Sequence, residues 1–233
     1  SNFVKSQSIA RVVGHLWLKK ELPDWALEFV TTILILLADH WPAVSGAHNT
    51  IVSARAGKDL VSSLISGLAT IGPCFGGAID KAAQSFFVAV QQWESADDFV
   101  QRHKKEWKLI MGIWHRIKSK YNPDVRCSLL KAQAEKFPSK NILDYALAVE
   151  EITLEKKPSL ILNVDGHIGA MLIDMLIGIW MSSDEIQKEL DAGICNAFFV
   201  LARSIWFIGH YLDQQRLDEW LYRTPWNDIL YLS

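Results

Sequence analysis

The chain has 233 residues, of which 50% are hydrophobic and 21% are charged, and its formal net charge is −2. A chain of this length and composition can bury a substantial core, which excludes an intrinsically disordered protein and fits one or two packed domains. The near-neutral charge gives no electrostatic basis for binding nucleic acid.

Most of the chain shows the periodicity of helices rather than the alternation of strands. In chain order, the predicted elements are an apolar helix at Phe29–Ala38, a helix at Gly76–Gln92, a helix from Asn122-Pro123 to Phe137, a helix at Asn141–Ile152, a short strand-like stretch at Leu160–Val164, an apolar helix at Ile168–Met181, a helix from Ser182 to Leu190 and an apolar helix at Ala192–Gly209. Asn122 is predicted as an N-cap with Pro123 at the first helical position, and Ser182 with Glu185 predicts a capping box. The pattern predicts an all-α fold.

The three apolar segments are either short or interrupted by Asp174, Asn196 or Arg203. A helix that crosses a bilayer needs about 18–20 uncharged residues in a row. We therefore expect no membrane span, and we interpret these segments as core helices that neighbouring helices or a partner subunit cover.

The three cysteines, Cys74, Cys127 and Cys195, are far apart and form neither a CxxC pair nor a Cys/His cluster. This spacing argues against a disulfide framework or a zinc site, and it favours a reducing, intracellular compartment. The chain starts with Ser-Asn-Phe and lacks a signal-peptide pattern, which we interpret as a fragment of a longer polypeptide.

Four predicted loops combine glycine with titratable residues. They are Ala38–Asn49, Ile71–Gly77, Met111–Lys118 and Asn163–Gly169. Any one of them alone is most simply a turn between helices. Four together in an otherwise apolar helical chain favour a single composite site.

These loops belong to longer blocks, Pro42–Leu64, Lys108–Arg126, Leu143–Gly166 and Phe207–Tyr231. In this order they resemble the citrate-synthase-like C-terminal module of the ATP-citrate lyase family, over nearly the whole chain. The resemblance implies cleavage of citryl-CoA to acetyl-CoA and oxaloacetate, a retro-aldol (reverse Claisen) reaction. Such a reaction needs a base for the tertiary hydroxyl, stabilisation of the thioester enolate, and an acid for the enolate carbon.

The resemblance also assigns catalytic roles to three residues. His115 matches the histidine that handles the hydroxyl proton, Asp165 matches the carboxylate that exchanges the proton at the acetyl carbon, and His40 matches a histidine that hydrogen-bonds the substrate. Without the resemblance, each residue has a simpler interpretation, because a buried histidine is often a satisfied core residue and an aspartate before glycine often forms a turn.

The carboxylates of citryl-CoA require fixed cations, for which arginine is well suited because its planar group binds a carboxylate with two hydrogen bonds. The resemblance assigns substrate binding to Arg126 and Arg203, and to Arg223 reaching in from a neighbouring subunit; Arg116 is a weaker candidate. Arg203 lies in a very apolar helix, where an unpaired guanidinium would be costly.

The resemblance places coenzyme A along the segment of Lys108, Leu109, Ile110, Gly112 and Ile113. Lys108, Lys118 and Lys156 (or its neighbour Lys157) are available for the phosphates, although ordinary surface charge explains the lysine pair equally well. No metal is expected in this module. The family's ATP- and magnesium-dependent activation of citrate is assigned to succinyl-CoA-ligase-like domains or a subunit upstream, and no glycine-rich phosphate loop occurs here.

The implied architecture is citrate-synthase-like, with a large helical subdomain (1–74 and 166–233) and a small subdomain (75–165) that closes over the substrate. The apolar helices predict a homodimer or a tetramer built as a dimer of dimers. The expected location is the cytoplasm, without nucleic-acid or membrane partners.

Ten tryptophans stand against only 13 glycines. The family usually has glycine at seven of these tryptophans, namely Trp41, Trp93, Trp107, Trp114, Trp180, Trp206 and Trp220, whereas Trp17, Trp25 and Trp226 fall where an aromatic residue is normal. Random drift in an inactive relative would not select one replacement type. The favoured hypothesis is that UGA codons meaning glycine were read as tryptophan. A further departure is Pro73-Cys74, where relatives have a charged pair.

Two alternatives to the lyase stay open. The first is a catalytically impaired oligomerisation core, in which Trp41 and Trp114 block the pocket. The second is a citrate synthase that condenses oxaloacetate and acetyl-CoA, which the lyase-type blocks at Pro42–Leu64 and Phe207–Tyr231 disfavour.

Overall fold

The computed structural model describes residues 8–38, 42–72 and 75–228, apart from the side chain of Trp226. Within these ranges the helices are α1 (Ile9–Val13, continued by a π-helical turn at Gly14–Leu18), α2 (Asp24–Ala38), α3 (Ser45–Arg55), α4 (Leu60–Leu68), α5 (Ala78–Gln91), α6 (Ala96–Lys105), α7 (Val125–Ala134), α8 (Asn141–Leu154), α9 (Val164–Gly178), α10 (Ser183–Asp191) and α11 (Ile194–Leu217), followed by a 3-10 turn at Trp226–Asp228. The described ranges contain isolated bridges but no strand, so the all-α prediction is confirmed.

Two helices organise the packing. α9 lies against α5, α7 and α8, and every residue from 166 to 176 is buried. α11 lies against α2, α3 and α4. Because a helix that is apolar on all sides must be covered on all sides, α9 is the central core helix that its sequence predicts. α9 packs mainly on helices of the 75–165 segment, and the proposed division into a large and a small subdomain stays a prediction.

Local capping decides where several helices begin. The predicted capping box of α10 is confirmed, with Ser182 and Glu185 bonded to each other's backbone N–H. The predicted start of α7 at Asn122-Pro123 is wrong: Asp124 is the N-cap and accepts a hydrogen bond from the Arg126 N–H at 3.0 Å. Asn122 is instead bridged to Ser119 in a turn before the helix.

The predicted loop at Asn163–Gly169 is also wrong in part, because it forms the first turns of α9. Asn163 is the N-cap and its side chain accepts a hydrogen bond from the Gly166 N–H at 3.0 Å. The strand-like stretch before it is extended but pairs only through a bridge from Leu162 to Ile113. Asp165 therefore lies in the first turn of a helix rather than in a loop.

Within the described ranges, no single helix is both long and apolar enough to cross a membrane. Only α10 and α11 taken together, with a 47° bend between them, satisfy the criteria of length and composition.

A buried carboxylate in the middle of α9 caps another helix. Asp174 is fully buried, and its two oxygens accept hydrogen bonds from the backbone N–H groups of Ile142 and Leu143 at 3.0 and 2.9 Å. The residue preceding α8, Lys140, makes no side-chain cap. Asp174 therefore satisfies donors that the first turn of α8 leaves free. Burial raises the pKa of Asp174 to about 7, against the opposing effect of these two hydrogen bonds.

We expect Asp174→Ala to lower the free energy of unfolding by about 2–3 kcal/mol, because it leaves two buried N–H groups without acceptors. Urea unfolding measures this change, and Glu151→Ala, which removes an exposed carboxylate from α8, is the control. Since the folded pKa lies above the unfolded value of about 3.9, the contribution of Asp174 to stability is greatest at low pH and is lost as the pH rises through 7. An identical pH dependence in wild type and Asp174→Ala would contradict the assignment.

Candidate active site

The loop that carries His115 is bonded to the extended segment before α9. The N–H groups of Trp114, His115 and Lys120 donate to the carbonyls of residues 161, 159 and 158, at 2.8, 3.1 and 2.9 Å. In the opposite direction, the N–H of Asn163 donates to the Gly112 carbonyl and its side-chain amide donates to the Trp114 carbonyl. These bonds hold the His115 loop beside the N-terminus of α9, where Asp165 lies.

At this junction the two backbones are in direct contact. A Cβ atom on Gly112 would lie 2.7 Å from the Gly166 Cα, and a Cβ on Gly166 would lie 2.6 Å from the Gly112 carbonyl oxygen. Gly112 also has a φ of +84°. Only glycine satisfies both requirements, so Gly112 serves to bring the loop and the helix together. It does not line the cavity described below.

His115 is half-buried and its imidazole has a defined orientation. Its Nδ1 accepts hydrogen bonds from the backbone N–H groups of Ile117 and Lys118, at 3.0 and 2.8 Å. With Nδ1 acting as the acceptor, the proton of the neutral ring resides on Nε2. Burial lowers the pKa of His115, and the nearby carboxylate of Asp124 offsets part of this effect. The side chain is therefore a neutral hydrogen-bond donor.

Asp165 is partly buried near two guanidinium groups. Burial raises its pKa above the ordinary value, while the positive charges of Arg203 and then Arg126 oppose that rise. Arg203 is 5% exposed on α11, and its guanidinium carbon lies 4.7 Å from the centre of the Phe199 ring. The structure therefore brings together His115, Arg126, Asp165 and Arg203, which come from four separate parts of the sequence.

Arg126 already has a carboxylate partner. Its Nε and an Nη bind the two oxygens of Asp124 at 3.1 and 2.7 Å. Although burial would raise the pKa of Asp124, the hydrogen bonds and charge of Arg126 lower it overall. Asp124 thus carries a negative charge close to both Arg126 and His115. Asp124 is not among the site residues predicted from the sequence, although an Asp two residues before an Arg is a usable signal.

A cavity of about 410 Å³ opens beside the same loop. It is lined by Val100, His103, Lys104, Lys108, Leu109, Ile110, Ile113, Trp114, Thr153, Lys156 and Leu160. Five residues predicted to bind coenzyme A are among them: Lys108, Leu109, Ile110, Ile113 and Lys156. Lys104 was missed, because nothing in the sequence shows that the end of α6 faces the loop. Lys108 pairs with Glu106 at 2.8 Å.

The other predicted site residues lie elsewhere. Lys118 lies near His115 and does not line the cavity. Arg116 is exposed, and Arg223 is exposed on the segment after α11, which Arg55 holds by a 2.6 Å hydrogen bond to the Trp220 carbonyl. His40 and the pair Pro73-Cys74 lie outside the described residues. In the part of the chain that the structure describes, no three His, Cys, Asp or Glu side chains converge as a metal site.

Comparison with known proteins assigns the family. The sequence profile of the citrate synthase C-terminal domain matches residues 2–224. The chain is 53% identical over 232 residues to ATP-citrate synthase from Homo sapiens and 51% identical to a probable ATP-citrate synthase subunit 1 from Neurospora crassa. It covers only 21% and 35% of those proteins, although 99% of the chain is aligned in each case.

Solved structures show the same likeness. ATP citrate lyase from Methanothrix soehngenii, in complex with citrate and coenzyme A, superposes with a TM-score of 0.95 at 50% identity and covers 99% of this chain and 38% of that one. Citryl-CoA lyase from Hydrogenobacter thermophilus has a TM-score of 0.86 at 22% identity, covering 100% and 86% of the two chains, and supports the fold alone. The chain therefore belongs to the citrate synthase C-terminal domain family and has the citrate-synthase-like fold.

Proposed function

We propose that this chain is the citryl-CoA lyase module of an ATP-citrate lyase and cleaves citryl-CoA to acetyl-CoA and oxaloacetate. The observation that carries the proposal is the convergence of His115, Arg126, Asp165 and Arg203 beside a lysine-rimmed cavity. It is supported by 50% identity to ATP citrate lyase structures, one holding citrate and coenzyme A and another holding (3S)-citryl-CoA.

Asp165 is the proton donor in this proposal. Cleavage breaks the bond between the carbinol carbon and the methylene carbon, and the electron pair of that bond passes to the thioester enolate. The hydroxyl oxygen becomes the ketone of oxaloacetate as its proton passes to solvent water, and Asp165 later regains a proton from solvent. Burial raises the pKa of Asp165, which favours the protonated carboxyl group, and in this proposal Asp165 gives that proton to the enolate carbon to form the methyl group. The proton released from the hydroxyl balances the proton that the carbon gains.

His115 acts as a hydrogen-bond donor in this mechanism. Its Nδ1 is occupied by two backbone N–H groups, so the Nε2–H is available to a substrate oxygen. A neutral donor of this kind stabilises negative charge on the oxygen that changes from hydroxyl to ketone. Accepting the hydroxyl proton, the role that the family resemblance implies for His115, would require the ring to give up these two hydrogen bonds or its Nε2 proton.

The two arginines supply positive charge for the carboxylates of the substrate. Arg203 is buried and close to Asp165, whereas the charge of Arg126 is shared with Asp124. Both arginines are candidate ligands for the substrate carboxylates. Arg116 and Arg223 are further candidates, with Arg223 contributing to the site of a neighbouring subunit. His40 is assigned to substrate binding by the resemblance.

We place coenzyme A in the cavity beside the loop. The apolar side chains of Leu109, Ile110 and Ile113 offer a surface for the adenine and pantetheine, and Lys108 and Lys156 lie at the same cavity. Lys104 adds a third ammonium group there. The cavity adjoins Trp114 and therefore His115, so that a thioester bound in it reaches the catalytic loop.

We also propose that the module acts within a larger cytoplasmic assembly. The name "subunit 1" of the Neurospora protein is consistent with several subunits, and the activation of citrate by ATP and magnesium is assigned to upstream succinyl-CoA-ligase-like portions.

Exposed apolar side chains, 57–66% accessible, lie on α1, α2, α4 and α11; they include Leu16, Ile35, Val61, Ile65 and Ile205. Because α11 packs on α2 and α4, a second copy of the chain is the proposed cover for this surface, giving a dimer or a dimer of dimers.

One observation favours a different function. The Trp114 side chain is 51% exposed and lines the cavity, which would reduce the space for coenzyme A. The alternative is a module that oligomerises without catalysing the cleavage. A citrate synthase would use the same groups for the reverse reaction. Measuring the rates of cleavage and of condensation distinguishes a citrate synthase from a lyase.

We expect Asp165→Asn to lower the rate of acetyl-CoA release from citryl-CoA by about 100- to 10,000-fold, because the amide cannot protonate the enolate carbon. Mass spectrometry of acetyl-CoA and a coupled assay of oxaloacetate measure the products. Both assays are run in the chain with tryptophan at position 114 and in the Trp114→Gly variant. Since Asp165 acts as an acid, the rate should fall as the pH rises through its raised pKa. Asp184→Asn, an exposed carboxylate in the first turn of α10, is the control, and an unaffected rate in Asp165→Asn would remove the acid role.

Lys108→Ala and Lys156→Ala are each expected to weaken coenzyme A binding by about tenfold, the loss typical of one charge-assisted hydrogen bond. Isothermal titration calorimetry with coenzyme A and with 3′-dephospho-CoA identifies which lysine contacts the 3′-phosphate. Lys188→Ala on α10 serves as the matched control. Unchanged affinity in both variants would place the phosphates elsewhere.

Ile65→Glu is expected to convert the assembly into monomers, because a carboxylate at the centre of an apolar interface has no partner there. Sedimentation velocity measures the change in mass. Leu129→Glu, an equally exposed apolar position on α7 (53% against 60% for Ile65), controls for added charge. If Leu129→Glu were monomeric and Ile65→Glu remained oligomeric, the result would contradict this surface and assign the interface to α7.

A further inference from the structure

Three helices end in the same way. In α5, α6 and α9 the residue after the C-cap is a tryptophan, namely Trp93, Trp107 and Trp180, with φ of 55°, 53° and 63°. The backbone N–H of each tryptophan donates to the carbonyl three residues earlier, and the next N–H donates to the carbonyl five residues earlier, at 3.0–3.3 Å. This pair of bonds is the Schellman motif, in which the left-handed residue is usually glycine.

The chain contains a direct comparison for these ends. Helix α3 closes with the same two hydrogen bonds, from Gly57 to the Ala54 carbonyl and from Lys58 to the Ser53 carbonyl. Here the left-handed position is a glycine, with φ of +82°. The three tryptophans therefore occupy the position that glycine has at the end of α3.

Nothing around these tryptophans compensates for the strained backbone. Their side chains are 94%, 96% and 89% exposed, so the indoles gain almost nothing from packing. A side chain with a Cβ is disfavoured in the left-handed region, most of all a bulky one. Trp17 and Trp25, by contrast, lie in helical backbone, and their rings pack at 5.2 and 4.8 Å from Phe198 and Phe137.

Trp114 is the most unfavourable case, because its φ is 112°. This value lies beyond the left-handed helical region and is essentially restricted to glycine. The backbone here cannot relax without breaking the hydrogen bonds from the Trp114 N–H to the Ile161 carbonyl and from the Asn163 side chain to the Trp114 carbonyl. In the described ranges, six residues other than glycine have a positive φ, and four of them are tryptophan.

We propose that the functional protein carries glycine at positions 93, 107, 114 and 180, inserted at codons that have been read as tryptophan. A UGA codon decoded as glycine explains why one residue type replaces glycine repeatedly. The backbone geometry selects four of the seven tryptophans that the family comparison selects, and it does so from a different observation; Trp206 and Trp220 do not have a positive φ. Positions 41, 206 and 220 join the proposal through the family pattern; Trp206 has a buried Nε1 without a hydrogen-bond partner among the described residues, and Trp220 is 85% exposed.

The gene and the natural protein provide the direct test. We expect UGA at the seven positions and UGG at positions 17, 25 and 226. Peptide mass spectrometry of the protein isolated from its own cells is expected to show the residue mass of glycine at 93, 107, 114 and 180. Tryptophan masses at those four positions would overturn the proposal, and neither result depends on lyase activity.

A second measurement tests the physical basis in recombinant protein. The combined variant Trp93→Gly, Trp107→Gly and Trp180→Gly is expected to shift the urea unfolding equilibrium toward the folded state by about tenfold per site. Gly57→Trp is the matched control and should shift it in the opposite direction by a similar factor. If the triple variant had a lower free energy of unfolding than the chain with the three tryptophans, tryptophan would be accommodated at these helix ends and the proposal would be contradicted.

Discussion

The candidate site depends on a backbone contact between the His115 loop and the first turn of α9. Gly112 and Gly166 approach so closely that a Cβ atom on either residue would overlap the other segment. The hydrogen bonds between residues 112–120 and 158–163 hold the two segments in register. Because of this contact, a histidine and an aspartate fifty residues apart in the sequence face one site. His115 and Asp165 lie on these two segments. Arg126 lies on α7, which packs on α9, and Arg203 lies on α11.

The two arginines of the site differ in how far a neighbouring carboxylate neutralises their charge. Asp124 neutralises much of Arg126, so the excess positive charge near Asp165 comes mainly from Arg203. Burial outweighs both arginines and raises the pKa of Asp165. Two backbone N–H groups fix the tautomer of His115. Burial thus shifts the pKa of Asp165 upward and that of His115 downward, in each case toward the neutral form of the group.

Local patterns predicted much of the fold. The apolar segments became the buried helices α2, α9 and α11, and the Ser182–Glu185 capping box formed where its side chains predict it. The start of α7 was misplaced because Asn122, Pro123 and Asp124 are all acceptable at a helix N-terminus, and only the turn with Ser119 selects Asp124. Asp165 was assigned to a loop because Asp-Gly is typical of turns, whereas Asn163 caps a helix there. The cap on α8 came from Asp174, thirty residues away, which no local pattern contains.

The sequence by itself determined the helical class, the family resemblance, the candidate catalytic residues and the seven tryptophans proposed to replace glycine, because these depend on residue types and their order. The tertiary structure decided which residues act together. It paired Arg126 with Asp124, oriented Nε2 of His115, placed Arg203 beside Asp165 and added Lys104 to the cavity. Such pairings depend on distances between segments that are remote along the chain, and only the packing of the helices against one another defines those distances.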